Sequence, residues 1–171
     1  DETERTVKLT RAAGADAYEM HAYGGYLNDQ FLTAAWNTRT DKYGGDVRGR
    51  ATFLLEQIAA VRKCAGADVP VMVKFCPDHG VPYPGFRQVD EGIELAKYLE
   101  EQGVDALHVD AGCYEKWQLS MPALFYQEAV MQLKSAKAVK ENVGIPVLTH
   151  GRLSNYETAE AALKHDICDS T

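Results

Sequence analysis

Apolar positions along the chain follow two alternating periods, and this alternation predicts a succession of helices and strands. Spacings of three and four residues indicate helices, whereas short apolar runs bounded by Gly, Pro or Asp indicate strands. The predicted helices are residues 3–13, 51–61, 92–99 and 126–139, with a last one starting at the S-x-x-E capping box 154–157. The predicted strands are residues 15–20, 71–75, 105–109 and 145–149, with the start of another at 167–171. Strands that alternate with helices imply a parallel α/β sheet.

Loop lengths in this pattern are asymmetric. The long segments, 21–46, 76–88 and the loop that begins near Cys113, all follow strands, while the segments that lead into strands have only a few residues. In parallel α/β folds the loops at the carboxyl ends of the strands carry function. We therefore expect the functional residues in these three loops.

Length limits how much of such a fold the chain can form. The sequence has 171 residues, whereas a complete eight-stranded α/β barrel has about 250 and rarely fewer than about 200. If the fold is a barrel, we expect this chain to leave it open.

Composition excludes several classes of protein. Lys and Arg total 18 and Asp and Glu total 25, which gives a net charge of −7. An acidic chain argues against nucleic-acid and anionic-membrane partners, and no run approaches the ~20 apolar residues of a membrane span. The polar N-terminus does not look like a signal peptide. The four cysteines form no C-x-x-C pair, so we expect reduced thiols in a cytoplasmic protein without a metal site.

The first long loop is the most specific segment of the sequence. It contains HAYGGYLNDQFL from His21 to Leu32 and NTRTDKYGGD from Asn37 to Asp46. These segments resemble the Old Yellow Enzyme family of FMN-dependent ene-reductases over more than thirty positions. The resemblance implies a TIM (β/α)8 barrel, incomplete here, running from the helix before the fourth barrel strand to the start of the eighth. Residues 1–171 are then one partial FMN-binding domain without strands 1–3 and the end of the barrel.

Two residues of this loop match catalytic positions of the family. His21 lies where relatives hold the carbonyl oxygen of the substrate, and a fixed donor there stabilises the negative charge that hydride addition builds. Tyr26 matches the proton donor, since a phenol with a pKa near ~10 is protonated at neutral pH. Taken alone, each residue is also compatible with a structural role, as a strand-end histidine or a core tyrosine.

One position departs from the family pattern. Most relatives carry Asn or His three residues after the histidine, where this chain has Gly24. We predict that Tyr114, in the loop after the third predicted strand, replaces the missing donor, although a role as an aromatic wall of the substrate pocket is equally compatible with the sequence.

Three residues are the predicted cofactor contacts. Lys74 ends the second predicted strand where relatives usually have an Arg that contacts the flavin, and Lys supplies the charge without the bidentate fork. Gly151 and Arg152 resemble the first phosphate-binding turn of the family, in which backbone N–H groups and a cation hold phosphate. The alternative for Lys74 is a side chain that extends from a strand end to solvent.

Other residues are interpreted as structural. We expect a salt-bridged scaffold for the first loop from Arg39, Asp41, Arg48 and Arg50. His79 is placed in a proline-rich exposed loop, His108 in the core, and His165 at a helix end. Cys76 and Cys113 lie in loops on the functional side, where they are candidates to contact flavin or substrate.

The resemblance implies an FMN-dependent oxidoreductase that uses NADH or NADPH to reduce the C=C bond of an α,β-unsaturated carbonyl compound. The segment 109–117 is most similar to the branch that reduces 2-enoates, bile acids and dienoyl-CoA. An iron–sulfur cluster belongs only to longer relatives and is not predicted for this chain. Because a partial barrel exposes sheet edges and apolar faces, we expect it to be inactive alone, to bind FMN poorly, and to self-associate or belong to a longer chain.

Two other functions stay open from the sequence. The chain is compatible with a catalytically silent barrel module that acts only in assembly, which Gly24 and Lys74 favour. It is also compatible with a phosphate-binding barrel enzyme of other chemistry, in which Lys74 forms a Schiff base.

Overall fold

The computed structural model describes residues 2–116, 130–151, 153 and 155–171. Strands and helices alternate through these residues. The strands are β1 (Tyr18–Ala22), β2 (Val71–Phe75), β3 (Ala106–Val109) and β4 (Val147–Thr149). The helices are α1 (Glu2–Ala12), α2 (Leu27–Leu32), α3 (Val47–Ala65), α4 (Val89–Glu101), α5 (Val130–Lys140) and α6 (Tyr156–Lys164), with a 3-10 turn at Tyr114–Lys116.

The four strands form one parallel sheet in the order β1-β2-β3-β4. His21 is in register with Lys74, which is in register with His108, which is in register with Leu148. A parallel bridge between Leu148 and Ser170 marks the next strand position, which confirms the expected start of a further strand. Since consecutive strands are neighbours, the carboxyl ends of all four lie along one edge of the sheet.

Side chains alternate between the two faces of the sheet because successive residues of a strand point in opposite directions. The outer face, covered by the helices, is apolar, and its β2 members Val71, Val73 and Phe75 are fully buried. The inner face is only partly covered and mixes apolar with polar side chains, which include Lys74 from β2 and His108 from β3. The sequence therefore directs chemistry-bearing residues to the inner face and to the carboxyl edge.

Helix α3 is central to the packing on the outer face. It contacts α1, α2 and α4, and its apolar stripe joins the main core. Three of the stripe residues, Ala51, Leu54 and Val61, are essentially inaccessible to solvent. Burial of this stripe stabilises the layer of helices over the sheet.

Two predictions are wrong, one for the bounds of the first strand and one for the loop that follows it. The first strand covers 18–22 instead of 15–20, because its hydrogen bonds to the second strand begin at Tyr18, whose N–H donates to Pro70. His21 is consequently a strand residue. The loop 21–46 also contains α2, a six-residue helix too short for periodicity to reveal, which is held by the burial of Asn28, Asp29 and Leu32.

The remaining elements follow the predictions closely. Gly14, with φ of 95°, ends the first helix as expected. The predicted capping box 154–157 is wrong, because the N-cap of the last helix is Asn155, whose side chain accepts a hydrogen bond from the Thr158 N–H at 2.7 Å. Ser154 lies outside the described residues. Among those residues, no helix is both long and apolar enough to cross a membrane.

Candidate active site

The turn after β1 places Tyr26 at the carboxyl edge of the sheet. Gly24 and Gly25 have φ of 76° and 81°, values that glycine adopts without strain. Tyr26 then starts α2, and its side chain is 51% exposed. The main-chain oxygen of His21 accepts a hydrogen bond from Asn28 Nδ2 at 3.0 Å, which fixes the helix to the end of β1. The Tyr26 hydroxyl is thus held at the carboxyl edge of the sheet, where solvent reaches it. We call this edge the mouth of the candidate site.

Tyr26 and Tyr114 are brought together although 88 positions separate them in the sequence. Their hydroxyl oxygens are 2.5 Å apart and their rings pack edge to face with centroids 5.5 Å apart. The hydrogen bond with Tyr26, together with partial desolvation, raises the pKa of Tyr114. The 3-10 turn that carries Tyr114 is attached to the first loop, because Trp36 Nε1 donates to Glu115 Oε1 at 3.2 Å. Two phenols therefore share one hydrogen bond at the mouth.

His21 completes the aromatic group at this edge. Its ring centroid lies 5.4 Å from that of Tyr26 and 5.9 Å from that of Tyr23. The side chain of His21 is on the inner face, and its backbone is in register with Lys74 on the neighbouring strand. An imidazole donor and a phenol donor are therefore adjacent on one side of the mouth.

Lys74 is charged on the inner face but does not stand alone. Its Nζ lies 3.3 Å from Asp110 Oδ2 and 5.1 Å from the centroid of the Tyr23 ring. Burial pushes the pKa of Asp110 up, but contacts with His150, the Ala111 N–H and Lys74 outweigh burial and hold it below its ordinary value. The predicted alternative of a side chain that extends freely to solvent is wrong.

The structure describes only part of the predicted phosphate-binding turn. Gly151 directly follows His150 after β4 and has φ of 100°, so its backbone adopts a conformation that other residues rarely adopt. This places a glycine turn at the same edge as Tyr26 and Lys74. Arg152, the predicted cation of this turn, lies outside the described residues, as does Trp117.

A buried charged network holds the Tyr26 turn from below. We call it the loop network, and its members are Asp29, Thr33, His79 and Arg87. Asp29, which is fully buried, accepts the Gly25 N–H at 2.9 Å and contacts Arg87 Nη1 at 3.2 Å. Arg87 also donates to the Thr33 hydroxyl at 3.1 Å and to the Cys76 carbonyl at 2.6 Å. The network thus connects the loop after β1 to the loop after β2.

The prediction that His79 lies in an exposed loop is wrong. Its side chain is completely buried, with Nε2 at 3.3 Å from both carboxylate oxygens of Asp29. The Arg87 N–H donates to His79 Nδ1 at 3.1 Å, so the proton of the neutral ring is on Nε2. The three prolines around His79 concealed this role, because residues that contact it are 50 and 8 positions away.

The predicted scaffold of four charged residues is correct for three of them. Arg39 and Asp41 form an exposed ion pair within the loop, and the buried Arg50 donates to the carbonyls of Leu32 and Gly45. Arg48 instead pairs with Glu101 of α4 at 3.0 Å, because the helical turn points it away from the loop.

The predictions for Cys76, Cys113, His108 and His165 have different outcomes. Cys76 and Cys113 are fully buried, and burial raises the pKa of both thiols, that of Cys113 to about 12. Neither thiol is therefore presented to a ligand at the mouth. His108 is not a core residue, because it lies on the partly covered inner face, whereas His165 forms the predicted C-cap of α6. Within the described part of the chain no His, Cys, Asp and Glu cluster forms a metal site.

The sequence and fold together define a class of protein. The model of the NADH:flavin oxidoreductase / NADH oxidase family matches residues 2–169, and the chain belongs to this family. The match covers nearly all of the described sequence, so the resemblance to Old Yellow Enzymes is confirmed.

Individual relatives refine this assignment. The chain is 34% identical to cinnamate reductase of Clostridium sporogenes over 172 residues, covering 92% of this chain and 26% of that protein. It is 39% identical to an NADH oxidase of Thermoanaerobacter brockii over 164 residues, covering 93% of this chain and 24% of that protein. The chain therefore spans about a quarter of the length of these relatives.

Solved structures agree on the fold. A 2-naphthoyl-CoA reductase complex superposes with a TM-score of 0.86 at 26% identity, over 98% of this chain and 25% of that one. An Old Yellow Enzyme homologue from Zymomonas mobilis superposes with a TM-score of 0.75 at 24% identity, over 99% of this chain and 45% of that one. The predicted α/β barrel class is confirmed, and the sheet of the described residues is an open part of such a barrel.

Proposed function

We propose that this chain forms the substrate side of an FMN-dependent NAD(P)H oxidoreductase that reduces the C=C bond of α,β-unsaturated carbonyl compounds. The observation that carries the proposal is the pair of phenols, Tyr26 and Tyr114, hydrogen-bonded at the carboxyl edge of the sheet beside His21. Reduction of such an alkene requires one proton at the α-carbon and a donor for the carbonyl oxygen. Tyr26, Tyr114 and His21 are three proton or hydrogen-bond donors that lie side by side at the carboxyl edge.

Roles follow from the contacts of each group. Tyr26 is the proton donor, because it is exposed and its hydroxyl can accept a replacement proton through Tyr114. His21 holds the carbonyl oxygen of the substrate and stabilises the charge that develops there. Tyr114 orients the Tyr26 hydroxyl and takes the place of the donor that Gly24 does not provide.

The charged residues of the same edge fit a flavin. Lys74 offers an ammonium group on the inner face, one strand away from His21, and Gly151 offers a backbone turn suited to phosphate. Lys74 would contact the ring of the flavin, and Gly151 with Arg152 would bind its phosphate. Bound FMN would supply the hydride chemistry, with NADH or NADPH as the reductant.

Substrate class is proposed from the named relatives. Besides cinnamate reductase, a bilirubin reductase of Mediterraneibacter gnavus is 33% identical over 99% of this chain. Cinnamate is an aromatic enoate, and the exposed ring of Tyr114 next to Tyr26 offers an aromatic surface for such a conjugated substrate. We therefore propose enoates or enoyl thioesters with an extended conjugated group.

The experiment separates the two half-reactions. Full-length protein with FMN is reduced by NADH without oxygen, and a candidate enoate is then added. In Tyr26→Phe we expect flavin reduction to be preserved and alkene reduction to slow by about 100-fold or more, since positioned proton transfer contributes at least this much. Tyr156→Phe, which changes an exposed tyrosine of α6, is the matched control and should match wild type in both steps. Equal loss of both half-reactions in Tyr26→Phe would contradict the assignment.

A companion proposal concerns the open sheet. The four described strands leave much of the inner face uncovered, so we propose that they bind FMN weakly without further strands and associate through the exposed face. Sedimentation and FMN titration of the 171-residue chain test this proposal, and a monomer that is saturated with flavin would overturn it. Cytoplasmic location stays a prediction from the sequence.

A further inference from the structure

Burial does little to hold the Tyr114 ring, although the proposed function depends on where its hydroxyl lies. Tyr114 is 61% exposed, and Tyr26, which it contacts through both hydroxyl and ring, is 51% exposed. Neither phenol therefore gives the other a buried support. The place of the Tyr114 hydroxyl depends instead on what fixes the 3-10 turn that carries it.

Glu115, the next residue of this turn, connects it to the first long loop. Trp36 Nε1 donates a hydrogen bond to Glu115 Oε1 at 3.2 Å, across 79 positions of sequence. The Glu115 side chain also forms a hydrogen bond with the thiol of Cys113, which is fully buried. The backbone closes the turn, because the Lys116 N–H donates to the Cys113 carbonyl at 2.9 Å. Glu115 is thus held between the buried base of its own turn and the indole of the first loop.

Trp36 is a fixed partner for Glu115, because it packs on the loop network. Its N–H donates to the carbonyl of Thr33 at 3.1 Å. Its ring centroid lies 5.6 Å from that of His79 and 5.3 Å from that of Phe86. Thr33 and His79 are both completely buried. The position of the indole N–H is therefore set by the most buried polar group of residues near the mouth.

The two phenols are consequently positioned from one buried network. Asp29 accepts the N–H of the residue that precedes Tyr26, and Trp36 holds the residue that follows Tyr114. Hydroxyl groups that have to meet at hydrogen-bond distance need both backbones in place. A misplacement of about 1 Å at a reacting group can lower a rate by about 100-fold.

We propose that the hydrogen bond between Trp36 and Glu115, here called the latch, holds the Tyr114 hydroxyl against Tyr26. Trp36 and Glu115 are then positioning residues that act through Tyr114. The latch rests on the proposed function for its purpose, since only the alkene half-reaction uses the phenols. The feature that matters is the acceptor oxygen of Glu115, because a neutral amide oxygen also accepts from an indole N–H.

The first test measures the placement of Tyr114 without flavin, so that it does not depend on activity. Full-length protein is labelled with fluorotyrosine, and the ¹⁹F resonance of residue 114 is assigned with Tyr114→Phe. In Glu115→Leu we expect this resonance to move toward that of free fluorotyrosine, whereas in Glu115→Gln it should stay near its wild-type position. Glu94→Leu, which changes an exposed carboxylate of α4, is the matched control and should leave the resonance unchanged.

The second test is a double-mutant cycle in full-length protein with FMN. Trp36→Phe removes the N–H and keeps an aromatic ring. Trp36→Phe and Glu115→Leu should each slow alkene reduction by about 10-fold, the change that one hydrogen bond contributes, and spare flavin reduction by NADH. The double variant should also lose about 10-fold, because the second change removes a contact that is already lost. A loss of about 100-fold in the double variant, as for two independent residues, would overturn the latch.

Two other results would count against the latch. One is a Tyr114 resonance that is the same in Glu115→Leu and Glu94→Leu, and the other is alkene reduction as slow in Glu115→Gln as in Glu115→Leu. If Glu115→Leu does not fold, the resonance in Trp36→Phe decides the first point. A displaced resonance with unchanged alkene reduction would instead contradict the role of Tyr114 in the proposed function, so the two failures are distinguishable.

Discussion

The loop network and a second charged cluster contain the same kinds of groups in different surroundings. We call the second cluster the inner-face row, and its members, on the inner face and carboxyl edge of the sheet, are Glu19, Lys74, His108, Asp110 and His150. Each has Asp, His and a basic side chain within ion-pair distance. The loop network is completely buried around Asp29 and Arg87, whereas Glu19 and His150 in the inner-face row are partly open to solvent. The backbone of Arg87 also fixes which nitrogen of His79 carries the proton, while in the contact between His108 and His150 either ring nitrogen can be the donor.

The difference shows how burial assigns a role to a charged cluster. A dehydrated ion pair keeps one arrangement, because a charge that loses its partner there has no water to replace it. This suits the loop network, which holds the Gly25–Tyr26 turn in place. In the partly hydrated inner-face row, water can replace a lost partner, so each contact contributes less to stability. Four predictions test this contrast.

Removal of the central charge of the loop network has the largest expected effect. Arg87→Met leaves the Asp29 carboxylate buried without its cation, so we expect the free energy of unfolding to fall by about 3–5 kcal/mol. Chemical denaturation measures this change. Arg39→Met, in an exposed ion pair of the same loop, is the control and should lower the free energy of unfolding far less, because water replaces the lost partner of an exposed charge. Similar losses in the two variants would contradict the contrast.

Acid should weaken the loop network next. Burial raises the pKa of Asp29, but the hydrogen bond with His79 and the charge of Arg87 outweigh it and hold the pKa below its ordinary value. A lowered pKa in the folded state gives stability that is complete above the ordinary value near ~3.9 and is lost as the pH falls below it. The loss is at most about 1.4 kcal/mol per pH unit for one proton. Denaturation between pH 5 and 2, in steps of about one unit, should show a smaller slope in Asp29→Asn than in wild type, and equal slopes would refute this.

The turn that the loop network anchors gives an intermediate effect. Gly25 and Gly45 both have φ of 81°, so alanine at either position should cost about 1–2 kcal/mol. A Cβ at Gly25 would lie 3.4 Å from the Tyr114 ring, whereas one at Gly45 would meet nothing within 4 Å. That contact is an ordinary van der Waals distance, but the strained turn at Gly25 directly precedes Tyr26. We therefore expect only Gly25→Ala to slow alkene reduction as well, because the strain shifts the Tyr26 backbone. Equal activity in the two variants would show that the turn does not position Tyr26.

The smallest effect is expected in the inner-face row. His108→Phe removes the contacts of His108 with Glu19 and His150, but both partners are partly exposed and regain water. We expect a loss of unfolding free energy below about 1 kcal/mol, as for other exposed ion pairs. The measurement is the same denaturation used for Arg87→Met. A loss as large as in that variant would mean that the row is a structural network.

The sequence by itself determined the alternation of strands and helices, the family and the edge of the sheet where the candidate site lies. Periodicity is a local signal, and the segment that includes His21 and Tyr26 is contiguous, so both can be recognised without coordinates. Lys74 was proposed from its place near the end of a predicted strand together with the family resemblance, and its role as a cofactor contact stays a prediction. The position of the carboxyl edge followed from loop lengths alone.

Tertiary structure decided everything that depends on distant partners. The pairing of Tyr26 with Tyr114, the burial of His79 behind Arg87, and the contact of His108 with Glu19 and His150 each join separate loops or strands. No local pattern distinguishes a histidine that is buried against Asp29 from one in an exposed proline-rich loop. Protonation and charge depend on such contacts, because they are set by whichever groups the fold places within a few ångströms.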